Sequence, residues 1–154
     1  MEASIISAVS DDEYGKEAVK MFHERNIDCS HLEVIPGGMT PRVPLHLVDN
    51  DRVHGTPVRG IMQDYEFSEE TLEYICRHDM MHSDFTGRLN HRLGDIRKSG
   101  TKVFFDLGNN LKHPDLEEVI QNIDCGLVSF GNDFEEGKAF LKYAHSKGVK
   151  LMIA

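Results

Sequence analysis

"KVFFDLGNNLKHPDLEEVIQNIDCGLVSF", residues 102–130, decides the fold class. "KVFFDL" (102–107) is a short apolar run ending in a carboxylate, the pattern of a buried strand. Pro114 suits the first turn of a helix, where its missing N–H costs nothing. Leu116, Val119, Ile120 and Ile123 then recur at helical spacing. "GLVSF" (126–130) resumes an extended apolar run. Strand, helix, strand in this order is a βαβ unit, which implies a parallel pair joined by a right-handed crossover.

The same alternation extends outward in both directions. Downstream, Phe134, Leu141 and Ala144 mark the inward stripe of a long helix that Gly148 stops, and "VKLMIA" (149–154) reads as a strand. Upstream, Leu89, Leu93 and Ile96 mark a helix that Gly100 ends, and "DMMHSDF" (79–85) holds a short strand. Ser68 is placed to cap a helix with Glu69 and Glu70 in its first turn and an inner stripe of Leu72, Ile75 and Cys76. At the start of the chain, "ASIISAV" (3–9) is a strand, Tyr14, Ala18, Met21 and Phe22 recur at helical spacing, and "HLEVI" (31–35) is a strand. The expected class is α/β, a mostly parallel sheet with helices on both faces.

One stretch departs from this rhythm. In "RVPLHLVDNDRVHG" (42–55), Val43, Leu45 and Leu47 alternate with other residues, Asp49, Asn50 and Asp51 supply turn chemistry, and Val53 resumes an extended segment. This is a β-hairpin signal, and Pro44 suits an edge strand. A hairpin that interrupts an alternating pattern is expected to project from the body.

The chain of 154 residues is expected to form one domain. Apolar content of 40% and charged content of 28% are those of a globular protein. With 17 Lys and Arg against 26 Asp and Glu, the formal net charge is −9. That sign disfavours a phosphate backbone and an anionic bilayer as partners, so neither nucleic acid nor membrane is expected. Cys29, Cys76 and Cys125 lack metal or redox spacing and read as free thiols of a cytoplasmic protein. The sequence starts and stops close to apolar strands, which suggests a fragment of a larger α/β domain.

In α/β sheets, ligands sit beyond the carboxyl ends of the strands. The residues delivered there are Ser10, Asp11 and Asp12; Ser83 and Asp84; Asp106, Asn109 and Asn110; and Ser129, Asn132, Asp133 and Glu135. Each acidic or amide side chain has two readings: a cap or turn former, or an oxygen ligand for a hard cation such as Mg²⁺. His82 has the same ambiguity between a packing role and a ligand contact. No Ser-His-Asp set and no phosphate loop of the G-x-x-x-x-G-K-[ST] kind is legible.

"AVSDDEYGKEAVKMFHERNID" (8–28) resembles the G-D-D-x-x-G strand–turn–helix of the ribokinase-like (PfkB-type) sugar kinases, with Ser10 where the family has glycine. In order, "TPRVPLHLVDNDRVHG" (40–55) falls where that family has a β-lid over the sugar, "VFFDLGNN" where it has an Asp after a strand, and "NDFE" (132–135) matches its N-x-x-E motif. "LHLVDNDRVHG" and "RGIMQDYEFSEE" are most similar to members acting on glycated amino acids.

The resemblance implies an incomplete ribokinase-like domain over 1–154, with 40–60 as the lid segment. It implies transfer of the ATP γ-phosphate to a sugar or a glycated amino acid such as fructoselysine. Thr40, Arg42 and His46 would contact substrate, and Arg42 could pair with a substrate carboxylate. Asn132 and Glu135 would hold Mg²⁺, and Asp106 would lie on the phosphate side. Asp11 and Asp12 would be architectural. No residue here takes the part of the family's catalytic aspartate, so the chain alone is expected to be inactive. A homodimer through the lid is the expected assembly. Two further readings stay open: a non-catalytic α/β piece that binds ligand or dimerises, and a flavodoxin-like receiver domain.

Overall fold

The computed structural model describes residues 2–131 and 134–154. They divide into two compact units, Met1–Phe67 and Ser68–Ala154.

In the first unit, β1 (Ser4–Ser10) and β2 (Asp28–Ile35) pair in parallel across α1 (Glu13–Glu24). Asp12 is the N-cap of α1: its side chain accepts the Gly15 N–H, one of the donors a helix start leaves unpaired. The helix buries Gly15 and packs Ala18, Val19 and Phe22 on the same stripe, at i, i+3, i+4 and i+7. Tyr14 and Met21, expected on that stripe, sit one position off it and are 50% and 39% exposed. Gly15 is required by close approach. A Cβ there would lie 1.9 Å from the Ser10 carbonyl oxygen and 2.9 Å from Thr40 Oγ1.

The expected hairpin is present. Strands β3 (Leu45–Val48) and β4 (Asp51–His54) pair antiparallel, with Leu45 opposite His54 and Leu47 opposite Arg52. Asp49 and Asn50 at the tip both have positive φ, a conformation Asx side chains tolerate and tight hairpin turns need. All eight strand residues are exposed. An isolated bridge between Arg42 and Val58 closes the foot of the hairpin, and a 3-10 turn follows at Gly60–Gln63.

The second unit is a parallel sheet ordered β5–β6–β7–β8, formed by Met80–Asp84, Lys102–Asp106, Cys125–Leu127 and Leu151–Ile153. Helix α2 (Glu69–Ile75) precedes it, and α3 (Leu93–Lys98), α4 (Leu116–Gln121) and α5 (Phe134–Ser146) link successive strands. Neighbours in sequence are neighbours in the sheet, as three consecutive βαβ units require. Ser68 caps α2 by accepting the Thr71 N–H. Gly100 and Gly148, at φ +104° and +98°, end α3 and α5 in the left-handed conformation expected of helix stops.

Val103, Phe105 and Leu107 alternate inward along β6, and Leu72, Ile75, Leu93, Ile96, Val119, Ile120 and Ile123 bury the stripes read from the sequence. Phe134 departs from its expected inward place. It is 79% exposed, and the packed stripe of α5 runs instead through Gly137, Phe140, Leu141 and Ala144. Phe134 is the first residue of the helix, a turn ahead of the nearest buried position.

Candidate functional site

The end of β1 is a dense polar junction. Ser10 is fully buried; its N–H donates to Thr40 Oγ1 at 2.9 Å, its hydroxyl donates to the Ile35 carbonyl at 2.9 Å, and the Gly38 N–H donates back to that hydroxyl at 3.0 Å. Asp12 accepts from three donors besides any solvent: Gly15 N–H at 2.9 Å, Thr40 N–H at 2.9 Å and the Thr40 hydroxyl at 2.6 Å. Hydrogen bonds from Thr40, side chain first and then main chain, hold the Asp12 carboxyl down at about 2. The Gly37 N–H, at 2.8 Å, likewise holds Asp11 below the usual carboxylate range.

These contacts place the first group of expected site residues. Thr40 is 6% exposed and its hydroxyl is committed twice, donating to Asp12 and accepting from Ser10. Arg42 stands beside it: Nη1 lies 3.4 Å from the Thr40 carbonyl and 3.9 Å from Asp12 Oδ2, and the guanidinium covers the Tyr14 ring at 4.5 Å. His46 is exposed on β3, opposite Val53. The structure thus brings Asp12, Thr40 and Arg42 together and leaves His46 out on the hairpin. A cleft of about 310 Å³ opens on the other side of the junction, lined by Ser10, Asp11, Gly15, Lys16, Val19, Lys20 and Val34.

At the carboxyl edge of the second unit's sheet, Asp84 and Asp106 stand opposite each other in register. Asp84 is bound up in its own turn, accepting from Thr86 N–H at 2.7 Å, Thr86 hydroxyl at 2.6 Å and Gly87 N–H at 2.9 Å. Asp106 is exposed and accepts the Gly108 N–H at 2.8 Å. The loop after β6 meets the loop after β7 where the Ser129 N–H donates to the Gly108 carbonyl at 2.8 Å. Glu135 is exposed in the first turn of α5 and pairs with Lys138 at 2.9 Å. Asn132, and with it half of the N-x-x-E motif, lies outside the described residues. Among the described residues no group of three or more His, Cys, Asp or Glu is placed to hold a metal ion.

Other ionised groups tie elements together within this unit. Burial pushes the Asp124 carboxyl up, but the Val103 N–H at 3.1 Å together with Arg97 and Lys150 outweighs it and leaves the group below its usual value. Glu117, bonded by Lys147 and by the Tyr143 hydroxyl, is held at about 2, and Tyr143 is pushed up to about 12 by the same contact. His82, one of the ambiguous residues, is exposed in the middle of β5 rather than at its end.

Sequence reasoning misses Tyr14 at this junction and places Ser10 there without a role. Tyr14 looks like one more apolar residue at helical spacing; the signal that it serves elsewhere is its position one step off the buried stripe. Ser10 stands where the resembled family has glycine, and a hydroxyl that donates toward the Ile35 carbonyl and Asp11 and accepts the Gly38 N–H is the local reason it is accommodated.

No protein-family model matches the chain. Over 153 residues, 99% of its length, it is 24% identical to fructoselysine 6-kinase from Escherichia coli (strain K12), and equally to the Shigella flexneri enzyme of that name. It spans 58% of the length of those relatives. Among solved structures, it superposes on a PfkB protein from Polaromonas sp. JS666 with a TM-score of 0.79 at 16% identity, covering 99% of this chain and 60% of that one. Ribokinase from Arabidopsis thaliana, solved with ribose and ATP, gives a TM-score of 0.79 at 15% identity, over 98% of this chain and 54% of that one. The fold is ribokinase-like. No helix among the described residues is long and apolar enough to cross a membrane.

Proposed function

We propose that this chain is part of a ribokinase-type sugar kinase that transfers the γ-phosphate of ATP to a hydroxyl of a sugar or of a glycated amino acid such as fructoselysine, in the cytoplasm. The observation that carries this reading is the colinear similarity to fructoselysine 6-kinase over 99% of the chain, joined to a ribokinase-like fold with an exposed hairpin in sequence position for a lid.

In this reading residues 40–60 form the lid, with Arg42 and His46 facing substrate. Thr40 acts by holding Asp12 and the foot of the hairpin rather than through a free hydroxyl. Asp106, exposed at the carboxyl edge with one hydrogen bond, lies on the phosphate side. In this reading Mg²⁺ is loosely held: such an ion keeps several waters and is bound by one or two carboxylates together with substrate phosphates. Asn132 and Glu135 would hold it, with Glu135 exchanging Lys138 for metal-bound water. Bound there, the ion would neutralise charge developing on the transferred phosphoryl group.

The residues of this chain position and screen; none takes the part of the base that accepts the hydroxyl proton. The 154 residues by themselves are therefore proposed to have negligible turnover. The hairpin also supports a lid-to-lid homodimer: Leu45 and Leu47 share one face of it and are 59% and 81% exposed, and a two-stranded hairpin is marginal by itself. Leu47→Lys should turn a dimer into a monomer in sedimentation analysis.

The decisive experiment is ADP release with fructoselysine and Mg-ATP, measured on the chain alone and on E. coli fructoselysine 6-kinase carrying these residues in place of its matching stretch. Activity in the graft and none in the chain alone is expected. Robust turnover by the chain alone would remove the claim of inactivity, and a folded but inactive graft that binds no sugar would remove the kinase reading.

A further inference from the structure

Arg42 stands at the foot of the hairpin with its main chain fixed from both directions: its N–H donates to the Val58 carbonyl at 2.9 Å, and its carbonyl accepts the Val58 N–H at 2.8 Å. Its side chain is held from two further sides. The Tyr14 ring lies under the guanidinium at 4.5 Å, and Nη1 is drawn toward the Thr40 carbonyl and Asp12 Oδ2.

Asp12 does not close a tight ion pair with it. That carboxylate accepts from Gly15 and from both donors of Thr40, and it stays 3.9 Å from Nη1. The Nε and Nη2 donors of Arg42 have no partner among the described residues, and the side chain is 35% exposed. One edge of a rigid, permanently charged fork is thus presented outward while the other is tethered. Tyr14, half exposed and off the buried stripe of α1, makes no comparable contribution to the core.

We propose that Tyr14 and Asp12 are positioning residues that hold Arg42 as a preformed receptor for a carboxylate carried by the substrate. This deepens, and rests on, the reading of residues 40–60 as a lid over a glycated amino acid, whose amino-acid end bears such a group. The planar guanidinium matches a carboxylate bidentately, and stacking on an aromatic face restricts its rotamers before the ligand arrives. Substrates lacking the carboxylate would leave the free edge of Arg42 unpaired and bind more weakly.

The test is NMR of the Arg42 side chain in the 154-residue protein, with fructoselysine, its decarboxylated counterpart and acetate as probes. In the ligand-free protein Arg42 should carry a ring-current shift that Tyr14→Leu abolishes and Tyr14→Phe retains. Fructoselysine should bind about tenfold more tightly than the decarboxylated compound, consistent with a charge-assisted pair. Tyr14→Leu and Arg42→Lys should collapse that ratio toward about twofold, while Tyr14→Phe restores it. The backbone amide spectrum of each variant verifies its fold.

Absence of the ring-current shift, or an unchanged ratio in Tyr14→Leu, overturns the proposal. Binding of both sugar compounds with equal affinity overturns it and leaves the kinase reading standing. If acetate perturbs Arg42 in the wild type and not in Tyr14→Leu while fructoselysine does not bind, the receptor stands and the substrate assignment falls. No response to any probe overturns both.

Discussion

Asp12 follows β1 and Asp106 ends β6, each a strand of a parallel pair, and their circumstances are opposite. Asp12 is heavily engaged: a helix N–H, a loop N–H and a buried hydroxyl all donate to it, and its carboxyl is held at about 2. Asp106 is exposed and receives one N–H from two residues ahead. The residue type and the kind of place are the same. What differs is how much of the acceptor capacity the protein's own donors consume, and that decides whether a carboxylate at a strand end is architecture or is open to a ligand.

The strongest way to break this contrast is to attack the packing that makes the Asp12 junction possible. In Gly15→Ala the new methyl would meet the Ser10 carbonyl at 1.9 Å, a main-chain atom that cannot swing away. The helix start would have to shift off Asp12. A loss of about 3 kcal/mol is expected, at the upper end for overpacking, measured by urea denaturation. A loss under about 1 kcal/mol would mean that the junction is looser than its geometry says.

Thr40→Val sharpens the same point. It keeps the shape and deletes a buried hydroxyl that serves both Asp12 and the Ser10 N–H. The expected cost is about 1–3 kcal/mol from polar groups left unpaired, with Thr40→Ser recovering most of it. Were Thr40 instead a direct substrate contact with no role in the fold, Thr40→Val would melt like the wild type and lose only ligand affinity.

The contrast also explains how far the sequence could be read. Alternation of "KVFFDL", the Val119–Ile120–Ile123 stripe and "GLVSF" was enough for parallel βαβ units, because period and burial coincide there. The Asp49–Asn50 turn marked the hairpin for the same local reason. Tyr14 and Phe134 failed for a shared cause: each lies within a turn of a true inward position, and spacing alone does not fix the phase of a helix end. The residues alone left Asp12 and Asp106 open between cap and ligand, and only the family resemblance marked Asp12 as architectural, which its N-cap bond bears out. The engagement of Asp12 depends on Thr40, which lies 28 residues away in sequence, and no local pattern announces a donor brought in by the fold.

Acid unfolding tests the Asp12 side of the contrast. The Asp12 carboxyl is depressed in the folded state from 3.8 to about 2, so its contribution to stability is present above pH 3.8 and is lost as pH falls toward 2. Asp12→Asn should lower the melting temperature at neutral pH and flatten the decline over that window, read by circular dichroism. A decline in Asp12→Asn as steep as that of the wild type would mean that the hydrogen bonds to Asp12 do not carry this stability.

The smallest expected effect on the fold comes with the clearest expected effect on ligand. Asp106 is exposed and gives the structure one turn hydrogen bond, so Asp106→Asn should change stability by no more than about 0.5 kcal/mol. An amide still accepts the Gly108 N–H, which keeps the turn, and removes the negative charge that a metal-bound water or phosphate-bridging ion would use. Affinity for Mg-ATP, followed by isothermal titration, should then fall about tenfold, while affinity for ATP in the presence of chelator should be unchanged or slightly improved as repulsion is relieved. A variant with wild-type Mg-ATP affinity would place Asp106 with Asp12, as a turn former, and the line drawn between engaged and open carboxylates would no longer follow function.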